Sequence, residues 1–194
     1  MLNYIFIQSH IAKLINNNEE STPSIFLQHI IRIYHKNGLV GEDRNIAKVF
    51  LAAVSKYLPA KFRIHIIVFS QSSAGKTTLL KTVTEPFSSD VIKISRFTGP
   101  GIDRYEGSLD GKIFLYEQLQ GFESSNLKIL LSEGELSLLV AEKDEDGKMK
   151  SVQKTLKGMP VFFTTSTTTV DNEMLNRVMT LSMDETEEQS KEII

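Results

Sequence analysis

The sequence contains no cysteine, which excludes disulfide frameworks and thiolate metal sites and says little about compartment. Histidine is sparse: His10, His29, His35 and His65 are scattered without metal-ligand spacing, so a structural zinc site is not expected. Neither sign of charge dominates, the net charge being −2. There is thus no global pull toward nucleic acid, and any such contact must be a local patch. No apolar run is long enough to cross a bilayer. The opening MLNYIFIQSHIAKL is interrupted by polar residues, with no basic start and no small-residue cleavage site, so no signal peptide is expected. Together these absences predict a cytoplasmic protein without membrane partners.

What is present suits one globular unit: 194 residues, 41% hydrophobic and 24% charged, enough for one core and a small accessory bundle. The organising stretch is Phe62 to Leu80, FRIHIIVFSQSSAGKTTLL. An apolar run from Ile64 to Phe69 breaks into Ser70, Gln71, Ser72, Ser73 and Ala74, then Gly75, Lys76, Thr77 and Thr78. A phosphate-binding loop, G-x-x-x-x-G-K-[ST], is expected between a buried strand and a helix. The spacing matches, with Ser70 where the first glycine stands; a side chain there costs little if φ is negative. Backbone N–H groups of Ser72 to Lys76 would wrap a β-phosphate, and the dipole of the following helix adds positive potential. Lys76 would bridge the β- and γ-phosphates and the Thr77 hydroxyl would hold magnesium. The competing reading is a small-residue turn with an exposed lysine.

Residues 1–60 read as helical. Asn3 to Ile15 carries one apolar stripe. A second helix after Thr22-Pro23 places Phe26, His29, Ile30, Ile33 and Tyr34 on one face and stops at Asn37-Gly38. A third helix after Glu42-Asp43 aligns Ile46, Val49, Phe50, Ala53, Val54 and Tyr57, and Pro59 ends it. His29, within a stripe, reads as a satisfied core histidine. This region is expected to form a helical collar on a nucleotide domain spanning residues 61–194.

Beyond the loop helix, Val91 to Ser95 and Lys112 to Tyr116 read as strands, and Leu127 to Leu131 as a short helix. Leu136 to Ala141 and Val152 to Leu156 flank Asp144-Glu145-Asp146-Gly147, a two-residue hairpin signal. Lys148, Lys150, Lys154 and Lys157 line the second arm. Met159 to Thr165 forms a further strand, Asp171 to Arg177 a helical turn and Val178 to Leu181 a last strand. Strands alternating with helices around a phosphate loop predict an α/β fold with a parallel sheet, its ligand at the carboxyl ends of the strands.

Nucleotide hydrolysis also needs an acid on a neighbouring strand and a group that orients water. Glu117, at the tip of IFLYEQ, is the expected metal-side carboxylate, unless it is only a solvated strand end. Gln118 falls where a water-polarising carboxylate is usual. A neutral amide cannot accept a proton, so slow turnover is expected unless Glu117 takes that role or Gln118 orients water. Thr164, Thr165 and Ser166 end a strand expected beside the phosphate loop; Thr165 is the hydroxyl expected to meet the γ-phosphate or water. Arg177 would act as a finger on a neighbour's nucleotide, or pair locally with Glu173 or Asp184.

With these residues laid out, SQSSAGKTT, IFLYEQLQG, PVFFTTSTTT and EMLNRVMTLSMDETEEQ resemble, in that order, the AAA+ ATPase module of replicative helicases of the MCM-like and phage or plasmid primase–helicase kind. The resemblance covers roughly residues 62–190. It implies a P-loop AAA+-type sheet, ATP and Mg2+ as cofactors, and a homo-oligomeric ring with ATP between subunits. It also implies DNA passing hairpins at residues 136–157, with Lys148, Lys150, Lys154 and Lys157 touching backbone phosphates, and a primase or other replication protein as a further partner. The solvated hairpin face is the alternative for the lysine row. Departures are Gln118 and a missing helical lid with its second sensor arginine, which suggests a truncated chain. Three rivals stay open: a P-loop switch or assembly factor with weak turnover, a small-molecule kinase using Arg96, Asp103 and Arg104, and a helical interaction module in residues 1–60.

Overall fold

The computed structural model describes residues 23–70, 75–95, 105, 107–117, 125–143, 147–168 and 170–183. The expected helix at Asn3 to Ile15, Ser72 to Ala74, Arg96, Asp103, Arg104, Gln118 and the acidic tail lie outside them. The three central strands are short apolar or β-branched runs buried on both faces, while the two edge strands are partly exposed. Ile66–Phe69 is β1, Val91–Ile94 β2, Ile113–Tyr116 β3, Val161–Ser166 β6 and Met179–Ser182 β7. They form one parallel sheet in the order β2-β3-β6-β1-β7. Glu135–Lys143 (β4) and Met149–Lys157 (β5) form a separate antiparallel hairpin.

Successive strand residues feed opposite faces, and two cores result. Ile66, Val68, Ile113, Leu115, Val161 and Phe163 join one cluster. Their neighbours Ile67, Phe114, Tyr116 and Phe162 join the other. The first core is closed by Pro23–Lys36 (α1), Asp43–Val54 (α2) and Lys76–Thr84 (α3). The second is closed by Ser125–Glu133 (α4), Asn172–Leu175 (α5) and the base of the hairpin, Leu136 and Leu156. The sheet is thus the middle of three layers. Residues from both sides of position 60 share the first core. Tyr34 ties the outer helices to the loop helix, its hydroxyl donating to Val83 O at 2.9 Å while its ring meets Phe50 edge-on at 6.4 Å.

Three local expectations change. The third predicted helix stops at Val54 because Ser55 Oγ donates to Ala52 O (2.6 Å) and accepts from Ile64 N (3.0 Å), a side-chain bond that ends the α-turns. Tyr57 is consequently 69% exposed, and Lys56 goes inward instead, 3% exposed, donating to Asp90 Oδ2 at 2.7 Å. The hairpin connection is also longer than two residues: the last ladder pair is Lys143 with Met149, and Gly147, at φ 77, lies between them. Finally, His29 is half-buried, and the enclosed histidine is His65, 4% exposed. Its Nδ1 accepts from Phe162 N at 3.2 Å, and burial lowers its pKa to about 4. No described helix is long and apolar enough to cross a membrane.

Candidate nucleotide site

The sheet order decides which predicted residues meet. β6 lies between β1 and β3, so the carboxyl ends of three adjacent strands carry the phosphate loop, the hydroxyl cluster and Glu117. Along β1 and β6, Val68 faces Thr165 and Phe69 faces Ser166; along β3 and β6, Tyr116 faces Thr164.

At the end of β1, Ser70 N donates to Ser166 O at 3.4 Å. The described chain resumes at Gly75, whose φ of 82 and ψ of −20 put it in the left-handed region, where only glycine sits without strain. A Cβ there would stand 3.3 Å from Met183 Cε. Gly75 begins α3: its carbonyl accepts from Leu79 N at 2.7 Å. No side-chain cap occupies the first-turn N–H groups, the arrangement that suits an anion. Lys76 is 5% exposed and its ammonium donates back to Ser70 O at 2.8 Å, tying the start of α3 to the end of β1. Thr77 is half-buried and Thr78 exposed.

Glu117 begins the turn after β3, its N–H donating to Ile94 O at 3.1 Å and its carbonyl accepting from Thr165 Oγ1 at 2.6 Å. Thr165 thus commits its hydroxyl to the backbone of the acid's own residue, a link between β6 and Glu117 that sequence reading did not foresee. The Glu117 carboxylate is paired with Lys81, Nζ to Oε1 2.8 Å. That ammonium, by hydrogen bond and by charge, holds the acid below the usual glutamate range. Lys81 was missed in the sequence; its signal was its place four residues after Thr77 on the loop helix, one turn along the same face. The Thr77 hydroxyl in the first turn of α3 and the Glu117 carboxylate just after β3 are hard oxygen donors, and this donor set fits magnesium. Thr77 and Glu117 would hold it, and Gly75, Lys76 and Thr77 the phosphates.

Ser166 is fully buried, donating to Thr168 O at 2.8 Å and accepting from Thr168 N at 3.2 Å. Beside it a cleft of about 710 Å³ opens between the ends of β1, β6 and β7, lined by Ser70, Ser166, Thr168, Asn172 and Ser182 among others.

Arg177 lies on the turn between α5 and β7, away from Gly75 in the chain and bound locally. Its Nε donates to Ser132 Oγ at 2.6 Å, one terminal nitrogen donates to Glu173 O at 2.5 Å and the other pairs with Glu173 Oε1 at 3.3 Å. Lys128 braces the same turn, Nζ to Asp171 Oδ1 3.0 Å and to Glu173 Oε2 3.1 Å. Asp171 caps α5 by accepting from Met174 N.

The hairpin lysines divide. Lys157 stands opposite Glu135 on one face, while Lys150 stands opposite Glu142 and Lys154 opposite Leu138 on the other. Lys154 is already committed, 2.5 Å from Glu142 Oε1. The distal arms remain open to solvent, with Leu139 79% and Met149 64% exposed.

No family model matches the sequence, and no curated protein is significantly similar to it. Solved structures do match in shape. One point mutant of Thermotoga maritima RuvB aligns with a TM-score of 0.51 at 16% identity, over 79% of this chain and 50% of that one. A second point mutant of the same protein aligns with 0.51 at 17%, over 80% and 50%. A further structure, described as the Thermotoga maritima RuvB Holliday junction branch migration motor, aligns with 0.49 at 16%, over 79% and 49%. The chain therefore spans about half the length of the RuvB chains it matches. The likeness is one of fold: a five-stranded parallel sheet with flanking helices, as in these RuvB structures.

Proposed function

We propose that this chain is the ATP-binding and ATP-hydrolysing core of a motor that acts on DNA as a ring of identical subunits. The observation that carries the reading is the convergence of Gly75–Thr78, Thr165–Ser166 and Glu117 at the ends of three adjacent parallel strands. Bound Mg2+–ATP supplies the transferable phosphoryl group and the dication that neutralises its charge. The chain's own residues divide the remaining work. The uncapped first turn of α3 and the Lys76 ammonium bind phosphate oxygens, with Ser70, Ser72, Ser73 and Ala74 forming the loop. Thr77 and Glu117 orient the metal. Thr165 fixes the Glu117 backbone, and Gln118 orients water without accepting its proton, which makes turnover slow. Arg177, released from Glu173 and Ser132, would complete the site of the adjacent subunit.

The DNA assignment draws support from the fold shared with RuvB, which is described as a branch migration motor, and from the exposed hairpin bearing Lys148 and Lys150. A replication role beside a primase is the finer form of this proposal. A second reading, a nucleotide switch with little turnover, is favoured by Gln118 in place of an acid.

The test is binding of a fluorescent ATP analogue with magnesium. Lys76→Ala, which deletes hydrogen bonds to charged oxygens, is expected to weaken binding by about 10- to 100-fold. Equal binding by parent and variant would contradict the site.

A further inference from the structure

Glu117 is held firmly in its main chain and loosely in its side chain. Two hydrogen bonds fix its backbone, to Ile94 O and from Thr165 Oγ1. The carboxylate is 44% exposed and its close partner is the equally exposed Lys81 ammonium at 2.8 Å. Ser95 and Lys93, at the end of β2, add smaller attractions. Thr77 stands in the first turn of α3 and Lys81 in the second, on one face. The same carboxylate expected to serve a cation beside Thr77 is therefore engaged by an ammonium based one turn along that face.

We propose that Lys81 is a positioning residue for Glu117: its ammonium holds the carboxylate in the place of the divalent cation and yields it when that cation binds beside Thr77. The inference rests on the reading of Gly75–Thr78 and Glu117 as a magnesium–nucleotide site. No bond is made or broken; one counter-ion replaces another on the same carboxylate. A dication attracts a carboxylate more strongly than a monovalent ammonium at equal distance, and an ion pair this exposed is weak. Lys81 therefore raises the magnesium concentration the site demands without blocking it. Because the backbone of Glu117 is pinned by β2 and β6, only side-chain torsions need change, and the swing needs no movement of the sheet.

The experiment is a magnesium titration of the full chain with a fluorescent ATP analogue, reading bound nucleotide and not turnover. Four proteins enter it: the parent, Lys81→Met, Glu117→Gln and the double variant, each repeated with chelator in place of magnesium. Lys81→Met is expected to lower the magnesium midpoint about two- to fivefold. The same substitution is expected to leave the midpoint unchanged in the Glu117→Gln background and binding unchanged under chelator. Lys81→Arg keeps the cation and should stay within about twofold of the parent. Thermal unfolding of each variant shows that it is folded. A midpoint that stays put or rises in Lys81→Met overturns the inference, as does an equal shift in the Glu117→Gln background, which would mark a general field effect. If the parent binds no nucleotide at any magnesium concentration, the underlying site reading falls as well. If the parent binds and Lys81→Met is silent, only the role of Lys81 falls.

Discussion

At the scale of single residues, the candidate site rests on two backbone facts, and the acid stability of the fold on one buried ring. Gly75 holds φ at 82 with Met183 close by, and the Glu117 main chain is pinned from both sides. Gly75→Ala should cost about 1–2 kcal/mol of stability from the left-handed strain alone. It should also weaken nucleotide binding, because the strain falls on the turn that aims the N–H groups; calorimetry and the ATP-analogue assay read the two effects. His65 makes a prediction about acid. Its folded pKa, depressed to about 4 by burial, with the Arg63 charge adding to the effect, lies below the ordinary value near 6.5. The unfolded chain then takes up a proton that the folded chain refuses. Stability is full above about pH 6.5 and is lost as pH falls toward 4, by up to about 3 kcal/mol. In His65→Gln that part of the pH dependence of urea unfolding should vanish; a parent flat from pH 7 to pH 4 would contradict the assignment. Little of this was legible beforehand. GKTT announced the helix start at Gly75, whereas the enclosure of His65 depends on α4 and β6 closing over it, which local sequence does not specify.

At the scale of elements, apolar runs such as IIVF and IFLY declared buried strands, because parallel strands bury both faces and read as unbroken hydrophobic stretches. The helix end at Ser55 was misread for a physical reason. Tyr57 continues the apolar period, but the Ser55 hydroxyl captures Ala52 O and the Ile64 amide, and that tertiary bond overrides periodicity. In the hairpin, spacing placed the lysines on one arm, and only the register showed Lys154 paired with Glu142 and Lys157 facing Glu135. Under the motor reading the exposed lysines next to the hairpin tip, Lys148 and Lys150, are the pair whose electrostatic contact with DNA is tested. Replacing both with Ala should reduce the slope of log affinity against log salt by about 1.4 for single strands or about 1.8 for duplex. An unchanged slope would remove the hairpin from the DNA interface.

At the scale of the whole molecule, alternation along the strands builds two cores, and the sheet order brings β6 between the loop strand and the acid strand. The expected place of the strand ending in Thr165 beside the phosphate loop is met, whereas its insertion between β1 and β3 could not be read from chain order. The sheet order also brings the carboxyl ends of β1, β6 and β3 side by side. Arg177 braces α5 against α4 through Glu173 and Ser132. The motor reading would add a second task, at the boundary between copies. That reading depends above all on whether nucleotide turnover is coupled to DNA. The most direct measurement is ATP hydrolysis with and without saturating single- and double-stranded DNA, for the parent, Lys76→Ala and Gln118→Glu. A DNA motor of this design predicts slow turnover stimulated by DNA in the parent, faster DNA-stimulated turnover in Gln118→Glu, and none in Lys76→Ala. ATP binding without turnover in both the parent and Gln118→Glu, with or without DNA, would contradict it and leave a nucleotide switch.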